Sequence, residues 1–87
     1  MDTYGFRMET KPPTETTRRI AATVSSALRD AGVTQEVAAD ATGIPLTTLR
    51  RRLRGVSAWK THEIEAVAAL VGMTFLDVIV AAESDAA

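Results

Sequence analysis

The sequence predicts an all-α fold, and three observations carry that expectation. Of the 87 residues, 46% are hydrophobic but only 5% are aromatic, so the core must be made of alanine and aliphatic side chains on closely approaching helices. Apolar residues recur at spacings of three and four in successive runs, as they do along one face of a helix. The runs begin after threonines that can cap a helix, and several end at a glycine that can close one. No cysteine is present, which removes both a disulfide framework and a thiolate metal site and makes a reducing cytoplasm the natural setting. A chain of this length is one small domain near the lower limit of what folds unaided. Its stability has to come from helix packing.

Residues 1–13 carry Gly5, Pro12 and Pro13 without a sustained period, so a flexible N-terminal arm is expected there. Arg7 and Lys11 could touch a phosphate, but Asp2 and Glu9 cancel their charge. Thr14 is placed to cap the first helix, with Glu15 in the first turn where a negative charge suits the macrodipole. Ile20, Val24, Ala27, Leu28 and Ala31 form its apolar face, and Gly32 stops it after about seventeen residues. Arg18 and Arg19 are left on its surface.

Thr34 caps a second helix with Gln35 and Glu36 in its first turn and Val37, Ala38 and Ala41 facing inward. Ala38 and Ala39 are small enough to let a third helix approach. Gly43 supplies the positive φ that closes helix two, Ile44 returns to the core, and Pro45 suits the first turn of helix three. Helix three, Leu46 to Arg54, has Leu49 and Leu53 four apart as its buried stripe. Thr47, Arg50, Arg51 and Arg54 then point outward.

A short alanine-lined helix, a glycine turn and a second helix rich in arginine have the form of a helix-turn-helix. The net charge of −1 gives nucleic-acid binding no support by itself. Its distribution does, because Arg50, Arg51, Arg52, Arg54 and Lys60 place five positive charges in eleven residues, and beyond them stand only acids. Those are Glu63, Glu65, Asp77, Glu83 and Asp85. Such segregation puts a positive face on a nearly neutral protein; a solvated arginine-rich surface is the competing reading of the run alone. An arginine fork matches the two acceptors on the major-groove edge of guanine as well as phosphate, and an exposed leucine can meet a thymine methyl. Base reading is therefore assigned to Leu46, Thr47, Arg50 and Arg51, and phosphate clamping to Arg54.

Downstream, Trp59 is expected to plug the core edge between helices three and four rather than to stack on a nucleotide. Lys60 is a phosphate candidate. His62 begins helix four behind a Thr61 cap and reads as surface, since the chain has no cysteine or second histidine to complete a zinc site. Helix four presents Ile64, Val67, Ala68 and Val71 on one face and ends at Gly72. Thr74 and Asp77 pair as caps of helix five, where Phe75, Leu76, Val78, Ile79 and Val80 are apolar around nearly the full circumference. One side of that helix can be buried in the domain, and the other needs a second cover. A second copy of the helix supplies it, giving a homodimer interface at Phe75, Leu76, Ile79 and Val80; a fuller intramolecular core is the competing reading.

Thr34 to Gly55 resembles the helix-turn-helix of the phage repressor and Cro (XRE-type) family. The shared features are the threonine, glutamine opening helix two, alanine at its middle, glycine in the turn, an apolar residue after it, and a helix ending in glycine. The likeness continues through Gly55-Val56-Ser57-Ala58-Trp59 and Thr61-His62-Glu63-Ile64, so it spans about residues 15 to 83. It implies a compact five-helix, lambda-repressor-like domain at 14–83, with a short tail at 84–87, that binds pseudo-palindromic double-stranded operator DNA as a dimer. It further implies a backbone contact by Gln35, which also buttresses the recognition helix, base contacts by Leu46 and Thr47, and a DNA contact by Ser57 in the loop. Two positions depart from the family. Leu46 replaces a polar base reader, and Arg52 replaces an apolar core residue. Either helix three is slightly rotated, or Arg52 lays its stem along the core and leaves its head in solvent.

These readings favour a transcriptional regulator. An antitoxin-type interaction module that binds its own operator, or an accessory protein of recombination and excision, has the same features. An enzyme is disfavoured, because no nucleophile and base pair, phosphate loop or metal cluster is visible. No cofactor and no small-molecule ligand is expected. Without a run of about 18 apolar residues or a signal peptide, the sequence also reads as cytoplasmic, with no membrane partner.

Overall fold

The computed structural model describes residues 14–84. The arm expected at 1–13, with Arg7 and Lys11, and residues 85–87 of the expected tail lie outside the described residues. Five helices follow in order, α1 Glu15–Asp30, α2 Gln35–Thr42, α3 Leu46–Leu53, α4 Thr61–Leu70 and α5 Phe75–Ser84, with no strand among the described residues.

Side chains cap four of the five described helices, while α3 starts behind Pro45 with no side-chain cap hydrogen bond. Thr14 Oγ1 accepts the Thr17 N–H at 3.1 Å and Thr34 Oγ1 accepts the Val37 N–H at 3.1 Å. Thr74 and Asp77 cap α5 reciprocally, the Asp77 N–H donating to Thr74 Oγ1 at 3.0 Å and the Thr74 N–H donating to Asp77 Oδ2 at 2.9 Å. Each bond satisfies an amide that the helix leaves without a partner. The start of α4 differs from expectation. Lys60, not Thr61, is the N-cap, and the Lys60 N–H donates to Glu63 Oε1 at 2.9 Å. The carboxylate three residues into the helix has taken over the capping expected of the threonine.

α1 packs against α3 and α5, α2 against α3 and α4, and α4 against α5. α4 and α5 meet at a 93° bend, and no single described helix is long and apolar enough to cross a membrane. The core gathers Ile20, Val24 and Leu28 of α1, Ala38 and Ala39 of α2, Leu49 and Leu53 of α3, Ile64, Val67 and Ala68 of α4, and Val78 and Ala82 of α5. Ile44 joins them from the turn, and Trp59 packs half-buried at the edge. The aliphatic core read from composition is the core observed.

Several faces are corrected. Val37 is 55% exposed and Ala41 is also exposed, because α2 turns its Ala38–Ala39 edge inward instead. Residues 37 and 41, one turn apart, then share the outer side. Ala31 lies outside the helix as its C-cap and is exposed, and Val33 returns to the core in its place. On α5, Val78 and Ala82 are the buried positions, Phe75 and Ile79 pack half-buried on the core, and Leu76 and Val80 remain exposed. Arg52 matches neither expectation, since its side chain is only 13% exposed and its head is held by Glu63 rather than by solvent.

Candidate nucleic-acid interface

The geometry of α2, the turn and α3 follows from a few local choices. Gly43 has φ 77°, a left-handed conformation that side-chain-bearing residues adopt at a cost. Thr42 reinforces the turn, its Oγ1 donating to the Ala38 carbonyl at 2.8 Å and accepting the Ile44 N–H at 3.3 Å. Ala38, with no exposed surface, forms part of the core that α2 and α3 share. On α3, Leu49 is fully buried and Leu53 nearly so, which fixes the rotation of the helix about its axis. Thr47, Arg50, Arg51 and Arg54 are consequently exposed on its outer side.

The end of α3 is held from two directions. Ser25 Oγ of α1 donates to the Leu53 carbonyl at 3.2 Å. Gly55, at φ 73°, lies close to α1, where a Cβ would come 3.4 Å from Arg18 Cγ. Behind α3, Arg52 Nε donates to Glu63 Oε1 at 2.8 Å, Nη2 to Glu63 Oε2 at 3.3 Å and Nη1 to Ser57 Oγ at 2.7 Å. One guanidinium thereby ties α3, the following loop and the first turn of α4 together, in the bidentate arrangement favoured by arginine and carboxylate. Burial by itself would raise the Glu63 pKa. The bonds from the Arg52 guanidinium and the Lys60 amide, with the positive charges of Arg52 and His62, outweigh it and hold the carboxyl below its ordinary value.

The eight residues expected at the interface are distributed as follows. Gln35 opens α2, and its Oε1 accepts from Arg50 Nε at 3.3 Å. Arg50 Nη2 reaches the adjacent Glu36 Oε2, also at 3.3 Å. Thr47, Arg51 and Arg54 are exposed, and among the described residues Arg51 and Arg54 have no side-chain partner. Leu46 is half-buried and packs on the core, leaving part of its surface outward. Ser57 is half-buried with its hydroxyl turned to Arg52, and Lys60 is exposed at the start of α4. Sequence reasoning missed the roles of Glu36 and Glu63. Glu63 carried a usable signal, an acid at the third position of a helix, whereas its partnership with Arg52 across a loop carried none. Among the described residues, no group of three or more His, Asp or Glu side chains converges as metal ligands do.

Two solved structures share this arrangement of five helices. One, of the clp gene regulator ClgR from Corynebacterium glutamicum, aligns with a TM-score of 0.77 at 23% identity, over 85% of this chain and 79% of that one. Another structure of ClgR aligns with a TM-score of 0.76 at 23% identity, over 91% of this chain and all (100%) of the other. The likeness to ClgR is one of fold. No protein-family model and no curated protein sequence matches the chain.

Proposed function

We propose that this chain is a sequence-specific DNA-binding transcriptional regulator of the small phage repressor and Cro kind, presenting α3 to the major groove of an operator. The single observation behind this reading is the outer face of α3, where Thr47, Arg50, Arg51 and Arg54 are exposed together while Leu49 and Leu53 anchor the helix from behind. That is the division of labour a recognition helix needs. The fold likeness to a protein described as a clp gene regulator supports a regulatory role. In this reading the protein is not an enzyme, requires no cofactor and acts in the cytoplasm, occupying its operator to exclude polymerase.

Selection of bound DNA from a random duplex pool, with binding repeated at two salt concentrations, tests the proposal. An enriched motif with steep salt dependence is the expected result. Weak, unselective binding would instead favour the interaction-module reading and leave the arginines as a solvated or partner-facing surface. Within the interface, Arg51→Ala is expected to relax preference at one base position by about 1 to 3 kcal/mol. Arg54→Ala is expected to weaken binding on every sequence and to lower the salt slope by roughly one unit. An unchanged slope for Arg54→Ala would remove that residue from the phosphate contacts.

The same reading makes the protein a homodimer through α5. Leu76 and Val80, one turn apart, are 65% and 54% exposed, and Phe75 and Ile79 flank them half-buried. A two-fold pair would space two recognition helices about 34 Å apart on a pseudo-palindromic site. The double change Leu76→Glu with Val80→Glu is expected to give a monomer in sedimentation that still folds and binds a half-site weakly. A dimer that survives both changes would place the contact elsewhere.

A further inference from the structure

Arg50, Arg51 and Arg54 share the outer side of α3, yet they are not equivalent. Arg50 is anchored to another helix, with Nε on Gln35 and Nη2 on Glu36, each at 3.3 Å. Arg51 and Arg54 have no such anchor among the described residues. The ion pair is well exposed, 47% at the Arg50 side chain and 66% at Glu36, and exposed pairs of this kind add little to stability.

Arginine has only donors, so the Gln35 oxygen must face Arg50 and its NH2 group must face away. That leaves the Gln35 amide presenting a donor, which suits a phosphate oxygen. On Arg50, the edge formed by Nε and Nη2 is turned toward α2, while the end of the fork, with Nη1, is left for a base. A fork held in advance loses less side-chain freedom when it binds. The geometry points to Glu36 as a specificity-determining positioning residue, which holds Arg50 end-on to the groove and through it sets one base preference. This rests on the DNA-binding reading above. It adds that an acidic residue, which by charge alone should oppose DNA, sharpens the choice of sequence.

The test is the pool selection carried out on the full chain and its Glu36→Ala, Glu36→Gln, Arg50→Ala and Glu36→Ala/Arg50→Ala forms, with thermal unfolding as a folding control. Glu36→Ala is expected to weaken preference by about two- to fivefold at the base position that Arg50→Ala erases, while affinity for random duplex does not fall. A damaged fold would lose both. Glu36→Gln, which keeps an acceptor, is expected to retain most of the preference, and Glu36→Ala should add nothing in the Arg50→Ala background. If the unaltered chain selects a motif that Glu36→Ala leaves intact, or that Glu36 and Arg50 affect at different positions, the positioning role is overturned and the regulator reading stands. If the unaltered chain selects no motif, the regulator reading falls and takes this inference with it.

Discussion

Glu63→Ala is expected to cost about 3 to 5 kcal/mol of folding free energy in urea denaturation, because it leaves the Arg52 guanidinium buried without its counter-charge. The Arg52 and Glu63 side chains are 13% and 7% exposed, so water cannot readily replace the lost carboxylate. The substitution also removes the acceptor of the Lys60 amide at the start of α4. A double change to apolar residues, Arg52→Met with Glu63→Leu, removes both charges and is expected to cost less than Glu63→Ala alone. A loss below about 1 kcal/mol for Glu63→Ala would mean that the pair behaves as a surface salt bridge.

The same pair makes stability depend on acid. Glu63 has a pKa below the ordinary value of 4.5, so the folded state binds its proton less readily than the unfolded chain does. Its contribution is complete above the unfolded pKa and is lost as pH falls through the lower, folded value. Stability of the unaltered chain should therefore decline more steeply below about pH 4.5 than that of Glu63→Gln. Parallel acid profiles for the two proteins would remove Glu63 as the cause. Because Arg52 lies on α3 and also holds the Ser57 hydroxyl, protonating Glu63 should loosen the loop that carries Ser57 and Lys60 as well.

Leu49→Ala is expected to cost about 3 to 5 kcal/mol, the usual result of emptying a fully buried leucine site that cannot collapse. Leu49 has no exposed surface and seats α3 in the core. A domain of this size holds on the order of 5 kcal/mol in total, so the variant should be largely unfolded when warm, and the proposed binding to DNA should fail with the fold. Leu46→Ala, at a half-buried position, is expected to cost distinctly less. Equal effects of the two changes would show that α3 is not seated as described.

These predictions concern what holds α3 in place, and the sequence made that support only half legible. Leu49 and Leu53 were readable because a four-residue spacing on a helix has one physical meaning, a shared face. Gly43 was readable because a tight turn after α2 calls for positive φ, and the caps at Thr14, Thr34 and Thr74 because unpaired amides at a helix start call for an oxygen; the same rule misplaced the α4 cap at Thr61, where Glu63 reaches back to the Lys60 amide instead. Five helices, their order and an aliphatic core therefore followed from local rules. Rotation of the short α2 did not. With Val37, Ala38, Ala39 and Ala41 all apolar, eight helical residues fit more than one inward face, and packing against α3 and α4 chose Ala38 and Ala39.

The outer faces of α3 and α5 show the same division. The sequence by itself determined which residues α3 turns outward, since burying Leu49 and Leu53 leaves Thr47, Arg50, Arg51 and Arg54 no other direction. It also determined that α5 is too apolar to be covered by water on all sides. Only the tertiary structure decided which of those α5 residues the domain's own core takes, and that Leu76 and Val80 are left over. Tertiary contacts likewise decided that Arg52 turns inward to Glu63 while Arg50 reaches back to Gln35 and Glu36. The physical reason is that periodicity reports which side of a helix a residue occupies, whereas the partner of a charged side chain depends on what another helix brings within about 3 Å of it.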